Sequence, residues 1–559
     1  MLINLPRLIS AALLSSSIFA TYASAETSAS SYLVARHADR QNDFEMAAEF
    51  YLDSLFFDPN NSILSGGAVE ALIALGDFEK AGEIAVGMIE TGSTNTAAFL
   101  AVLGDAARNE DYQKIIKVLA RDGVATNDLT DSLVLGWALL GVGDQGRALE
   151  AFNMVVNDER YRAFGLYHLG LALAWSGDLE GAISVFQDEA HRNFQSPRSI
   201  LAEAQILAEL DRLAEAERRL LEAFGANSAA RELADKIRSG EDISFDFVST
   251  PAEGMAEIYY TLADALGGDA PNLFNLYYAR MALEIRPTDS DVLLLVAGLF
   301  EQLDRMSIAR DIYLEVGDQD AAFFTAAMGV AETLRAEGRL GDAVAHLQGV
   351  IADVGIGPYV LVTLGDISRQ LDDYESAVDA YTRRLDGGIT NGYQDWYVHY
   401  VRGVAYERLG QWRKADDDFR RSLAIQPAQP QVLNYLGYSL VERRENLDEA
   451  LGMIEEAVAL RPDSGYIVDS LGWVYYRLGR FEEAVIPMEL AVELLATDPI
   501  VNDHLGDVYW KVGREYEAGF QWRRALSFDP DPIDADRIRR KLEFGLDVVL
   551  GEESEGIND

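Results

Sequence analysis

Side chains that can hydrogen-bond, or that offer a flat apolar ring, recur at nearly constant intervals in the last third of the chain. Tyr400, Asn434, Asp469 and Asp503 fall 34, 35 and 34 residues apart, and so do Val404, Tyr438, Trp473 and Asp507. Tyr476 and Trp510 share a further register, and Tyr397 and Tyr466 another. Aromatic rings supply contact area at small entropic cost. An amide or carboxylate can bond a peptide backbone without reading its side chains. This is the chemistry of holding a chain rather than of breaking bonds. The sequence has no His-Glu-x-x-His helix, no Gly-Lys-Ser/Thr phosphate loop, no Gly-x-Ser-x-Gly elbow and no calcium loop. Its six histidines (His37, His168, His191, His346, His399, His504) are scattered without metal-ligand spacing. Acidic pairs such as Glu482-Glu483 are abundant, as expected of solvated helix faces in so acidic a chain. No catalytic residue, metal or cofactor is assigned, and the chain reads as a non-enzyme. His504 reads as a structural histidine, whereas Asn434 is the polar residue that packing explains least.

Composition narrows the partners. The 559 residues carry a formal net charge of -45 with 49% hydrophobic content. That balance disfavours nucleic acid, whose phosphates need Lys and Arg, and disfavours anionic lipid surfaces. It leaves two readings open, plain solubility and attraction to basic partners. The absence of cysteine removes disulfides, thiol nucleophiles, Cys-ligated zinc and the cysteine on which bacterial lipoproteins are anchored. Residues 1–25 resemble a secretory signal: Arg7 is followed by an apolar run from Leu8 to Ala20 and by Ala23-Ser24-Ala25, which predicts cleavage before Glu26. The run is too short for a stable membrane anchor, and no other segment reaches the length of a membrane helix. The expected location is the periplasm, free or peripheral to the outer membrane.

The elements that must position the spaced residues are helices. Gly403, Gly437, Gly472 and Gly506 mark a period of 34 or 35, and around the last the chain reads Leu505-Gly506, Tyr509, Gly513, Ala518, Trp522, Ala525, Pro530. This order of large, small, aromatic, turn, small, aromatic, small and proline marks a tetratricopeptide repeat, a pair of antiparallel helices. The same register runs through Ala35, Val69, Leu103, Gly136, Gly170 and Ala204, with Ala47, Ala81, Ile115, Ala148, Ala182 and Ala216 in the second helices. A leucine at Gly170 or Ala182 is expected to cost about 1–3 kcal/mol by overpacking. The expected fold is all-α, a tetratricopeptide repeat solenoid of about 14 helix pairs in two arrays forming a right-handed superhelix. Its divisions read as an N-terminal array at 26–238, a seam at 239–253, a C-terminal array at 254–531, a capping helix at 532–550 and an acidic tail at 551–559. In the seam Ile243, Phe245 and Phe247 alternate with polar residues. They either tuck against a neighbouring helix or lie in the groove as a mimic of a bound peptide. The basic run Arg537, Arg539, Arg540 and Lys541 is explained by solvation.

In this repeat family the first helix of each pair lines the concave face, with positions 2, 5, 9 and 12 inward when the small residue is position 8. The family register therefore implies a partner-binding groove of Tyr397, Tyr400, Asn434, Tyr438, Tyr466, Asp469, Trp473, Tyr476, Asp503, Asp507 and Trp510. Simple inter-repeat packing is the competing reading for Trp473, Tyr476 and Trp510. The strings Leu433-Asn434-Tyr435-Leu436-Gly437-Tyr438, Asp469-Ser470-Leu471-Gly472-Trp473 and Asn502-Asp503-His504-Leu505-Gly506-Asp507 resemble exported tetratricopeptide proteins of Gram-negative bacteria, common in alphaproteobacteria. A related pseudomonad branch comprises outer-membrane lipoproteins that act as adaptors, presenting cell-wall hydrolases to a periplasmic carboxyl-terminal processing protease. The resemblance implies a non-catalytic envelope adaptor or scaffold with protein partners. The missing cysteine departs from the lipoprotein branch, so neither a lipid anchor nor a transmembrane anchor is expected. The alternatives are a structural spacer in an envelope assembly, and an enzyme or small-ligand binder.

Overall fold

The computed structural model describes residues 30–556 except 122–127, 194, 225–227, 242, 268–272, 358 and 388–391, so the signal-like segment at 1–25 lies outside the described residues. Every regular element among the described residues is an α-helix. From residues 30–40 paired with Phe44–Phe57, to Pro499–Lys511 paired with Glu515–Leu526, the described helices form fourteen pairs, with the short helix Glu189–Arg192 and the helix Ser228–Ser239 standing between pairs. The chain divides into two compact units, Met1–Gly355 and Ile356–Asp559.

The repeat signature translates into one recurring contact. In several repeats the glycine of the first helix faces a large residue sixteen positions on in the second. A Cβ at Gly136 would run into Phe152, at Gly170 into Phe186, at Gly403 into Phe419, at Gly472 into Met488 and at Gly506 into Trp522. Only a hydrogen lets the two axes close on a ring or thioether of that size. The turns are set equally locally. In the first unit Asp77, Asp111, Asp144 and Asp178 cap their second helices by accepting N–H bonds from the residue three positions on. In the second unit Gly410, Gly479 and Gly513 hold φ between 69° and 78°, a left-handed conformation that favours glycine.

In the first unit the pairs from residue 30 to Phe224 make an array, followed by the helix Ser228–Ser239. The chain then turns back. Residues 243–250 carry no helix, and the helices Pro251–Ala265 and Leu273–Ile285 pack on first helices of the array (Ser62–Leu75, Thr96–Arg108, Asp128–Gly141 and Arg162–Trp175). The return is fitted by small residues and charge. Gly254 rests on the Trp137 ring and Gly104 on Met281. Arg280 donates to the Ala74 carbonyl at 2.7 Å, Arg108 pairs with Glu284 at 2.6 Å, and Arg305 reaches Asp43 at 3.0 Å. The segment 239–253 therefore lies within the first unit, and the division between units falls at 355/356.

The second unit carries the regular block from Gly392 to Leu526. Its end is closed by two helices, Pro532–Phe544 and Leu546–Gly556. Where one capping helix is expected, Gly545 interrupts it with φ 83° and ψ 158°, and the Trp510 ring sits against that glycine so closely that a Cβ would strike it.

Candidate protein-binding groove

The spaced residues of the second unit sort into two environments. At the start of the block the rings are half-buried and arranged in a chain. Tyr397 lies 6.5 Å from Tyr400, which lies 5.9 Å from Tyr435 and 6.3 Å from Phe419. The Tyr397 hydroxyl donates to Asp366 at 3.2 Å. Burial, then the Asp366 charge, pushes Tyr397 up to about 12; burial, then Tyr435, does the same for Tyr400. Both are therefore neutral hydroxyl donors at physiological pH. Tyr438 bridges two apolar clusters. Asn434 is half-exposed, yet its Oδ1 is buried without a hydrogen-bond partner. Tyr466 is 61% exposed and reaches Asp498 at 3.4 Å.

Further along, the same registers are filled from within. Trp473 and Tyr476 are both buried, stacked at 4.8 Å, and Trp473 stacks on His504 at 4.1 Å. The Trp473 Nε1 donates to Glu442 at 2.8 Å. His504 shares Nδ1 with both oxygens of Asp469 at 3.1 Å. Burial works to lower the His504 pKa, but the charge and bond of Asp469 outweigh it and the net shift is upward. Asp503 and Asp507 meet Lys541 of the capping helix: Nζ donates to Asp503 Oδ2 at 2.7 Å and to the two oxygens of Asp507 at 2.7 and 2.8 Å. Asp507 also accepts from Trp522 Nε1 at 3.0 Å. Asp503 Oδ1 is buried without a partner, and burial, then the Asp507 charge, pushes Asp503 up to about 6. Trp510 donates to Asp547 at 3.0 Å and lies 5.6 Å from Trp522.

Of the eleven register residues, Tyr397, Tyr400, Asn434, Tyr438 and Tyr466 thus retain exposed surface. Trp473, Tyr476, Asp469, Asp503 and Asp507 form a buried stack and charge cluster, and Trp510 props the cap. Solvation does not account for the whole basic run. Arg539 and Arg540 are exposed and Arg537 half-exposed, but Lys541 is 1% exposed between two carboxylates. Lys541 follows Ile538 by three residues and Ala535 by six, which places it on the buried face of its helix, and that spacing is the sequence signal that separates it from its neighbours.

The equivalent face of the first unit is occupied by the returning chain, and sequence reasoning did not find this. Arg198, at position 2 of its repeat, clasps Glu257 through Nε at 3.1 Å and Nη2 at 2.7 Å, and bonds Asp291 at 2.7 Å. The Tyr167 hydroxyl, at position 5, donates to Glu257 at 2.8 Å. Burial opposes the Arg198 charge, yet Glu257 and Asp289 more than compensate and hold its pKa above the ordinary arginine value. Beside this network opens a cavity of about 1140 Å³ lined in part by His191, Arg198, Tyr260, Asp264, Asp291 and Asp320. Among the described residues no group of three or more His, Asp or Glu side chains could hold a metal ion, and no helix is long and apolar enough to cross a membrane.

Comparison with known proteins agrees with the helix pairing. Residues 396–429 and 436–499 each match a family model described as tetratricopeptide repeat. A TPR repeat-containing protein of Pseudomonas aeruginosa is 29% identical over 189 residues, 33% of this chain and 31% of that protein. A lipoprotein NlpI homolog of Haemophilus influenzae is 41% identical over 90 residues, 16% of this chain and 27% of that protein. The chain thus spans less than a third of the curated relatives it matches. Among solved structures, the APC/C hetero-tetramer Cut9–Hcn1 covers 92% of this chain with 95% of its own at 16% identity and a TM-score of 0.38. The chain is an all-helical tetratricopeptide repeat solenoid, an architecture that serves protein–protein interaction.

Proposed function

We propose that this tetratricopeptide repeat protein is a non-catalytic adaptor of the bacterial cell envelope, exported by its N-terminal signal, and that the first-helix face from Tyr397 to Tyr466 holds an extended segment of a partner. The observation that carries the reading is the contrast along one register. Trp473, Asp503 and Asp507 are consumed by internal stacking and by Lys541, whereas Tyr397, Tyr400, Asn434 and Tyr438 keep part of their side-chain surface available. Neutral tyrosine hydroxyls and an amide suit a peptide backbone. The resemblance of the 433–525 strings supports a finer version. In it the scaffold brings substrates such as cell-wall hydrolases to a periplasmic carboxyl-terminal processing protease and raises their local concentration, contributing no catalytic group.

The test is recovery of partners from periplasmic extract by the immobilised chain starting at Glu26, compared with a Tyr400→Ala/Tyr438→Ala variant. Recovery of a processing protease or of cell-wall hydrolases, lost in the variant, is the expected result. Assembly proteins alone, retained by the variant, would favour a spacer role instead. A second reading, a small polar ligand, rests on the cavity at Tyr260, Asp264 and Asp320, whose volume is large enough for a ligand site. Cationic metabolites such as polyamines that leave the melting temperature unchanged would remove it.

A further inference from the structure

Residues 243–250 are held in the manner of a bound peptide. The segment has no helix, and its side chains alternate: Ile243, Phe245 and Phe247 are half-buried while Ser244 and Asp246 are exposed. Its backbone is bonded by side chains of the array's first helices. Glu209 accepts the Phe245 N–H at 2.6 Å. Gln205 accepts the Phe247 N–H at 3.0 Å and the Asp246 N–H at 3.3 Å through Oε1, while its Nε2 donates to the Asp246 carboxylate at 2.7 Å. Trp175 Nε1 donates to the Ser249 carbonyl at 3.1 Å. The Arg198 guanidinium lies over the Phe247 ring, 5.0 Å from its centroid. Arg198 and Gln205 occupy positions 2 and 9 of their repeat, two of the inward positions implied for peptide binding in the second unit.

These contacts read main chain and ring faces, so they depend on an extended backbone with apolar residues at every second position more than on one sequence. We infer that Trp175, Arg198, Gln205 and Glu209 form a second peptide-binding surface, that residues 243–250 are its resident intramolecular ligand, and that an extended partner segment with aromatic residues at alternate positions displaces it. Asp246, an exposed residue whose carboxylate is bonded by Gln205, is the position where a partner differs freely. The resident segment is tethered on both sides, so its effective concentration is high and a partner binds weakly until the segment is loosened.

The probe is a fluorescein-labelled synthetic peptide with the sequence of residues 241–252, titrated into the full chain by fluorescence polarisation. Binding to a Phe245→Ser/Phe247→Ser variant should be at least tenfold tighter than to the unaltered chain, and a Gln205→Ala change added to that variant should weaken it again by about tenfold. Because the variant could lose structure, amide exchange of the unaltered chain supplies an independent reading. Excess peptide should speed exchange at Phe245 and Phe247 and leave the helices Arg162–Trp175 and Pro197–Glu209 as protected as before. Absence of saturable binding to a variant that melts like the unaltered chain, or unchanged exchange at 243–250 under millimolar peptide, would overturn the inference.

Discussion

Asp503 offers a change that should stabilise the protein by removing a charge. Its carboxylate is 8% exposed, one oxygen is bonded to Lys541 and the other has no partner, and Asp507 lies in the same cluster. Burial and the neighbouring charge set its folded-state pKa at about 6, against about 3.9 for an unfolded aspartate. A carboxyl with a raised folded-state pKa binds its proton more tightly in the fold. Its favourable contribution is therefore complete below about pH 3.9 and is lost as pH climbs through about 6. A difference of about 2 units corresponds to roughly 3 kcal/mol forfeited at pH 7.5. Asp503→Asn keeps the shape and an acceptor for Lys541 but never ionises. It should stabilise the docking of Pro532–Phe544 at pH 7.5, by less than that full amount because the amide NH2 that replaces the buried Oδ1 finds no partner, with the gain shrinking as pH falls toward 4. Repeat arrays unfold in parts, so the appropriate readout is the opening free energy of that helix by amide exchange, variant and parent compared at each pH. A variant equal to or less stable than the parent at pH 7.5, or offset by the same amount at every pH, would refute the argument.

Four other substitutions separate packing from recognition. Gly506→Ala should cost about 1–3 kcal/mol in denaturant unfolding, because the new methyl meets the Trp522 ring that also bonds Asp507. Glu257→Gln leaves Arg198 and Tyr167 without their shared carboxylate and should lower the stability of the first unit by about 3–5 kcal/mol, seen as an earlier calorimetric transition. Trp473→Ala should cost about 3–5 kcal/mol because the ring is buried between Tyr476 and His504, while Tyr438→Ala should change partner binding more than melting. If Trp473→Ala melts like the parent, its stack is not a structural core.

The helix pairing was legible because a tetratricopeptide repeat is specified locally: Gly472 and Met488, or Gly506 and Trp522, meet within one 34-residue unit, so period and residue size suffice. The fourteen pairs follow from the same register. What escaped was contact between distant segments. Nothing in the spacing of Gly254 or Met281 announces that they rest on Trp137 and Gly104, because the partners lie more than a hundred residues away and obey no period. Lys541 escaped for a related reason: a lysine in a basic run reads as solvated until the carboxylates of another helix are placed around it. The groove residues were half legible. The register brought the right positions to one face, but whether a ring such as Trp473 or Tyr438 remains available depends on neighbours such as His504 that only three dimensions supply.

The return of the chain along its own first array also fixes an order of events at birth. Arg305 closes on Asp43 across about 260 residues of sequence, and Met281 fills the space above Gly104. During synthesis or export the early repeats emerge with Trp137 and Tyr167 uncovered, and they stay so until Gly254 and Glu257, about a hundred residues further on, have followed. The first unit is therefore slow to complete and dependent on its latest part, whereas the 392–526 block can build up repeat by repeat from neighbours alone. A chain truncated at residue 239 should accordingly aggregate or bind chaperones while one comprising 356–559 folds, and a soluble, cooperatively melting 26–239 fragment would contradict that order.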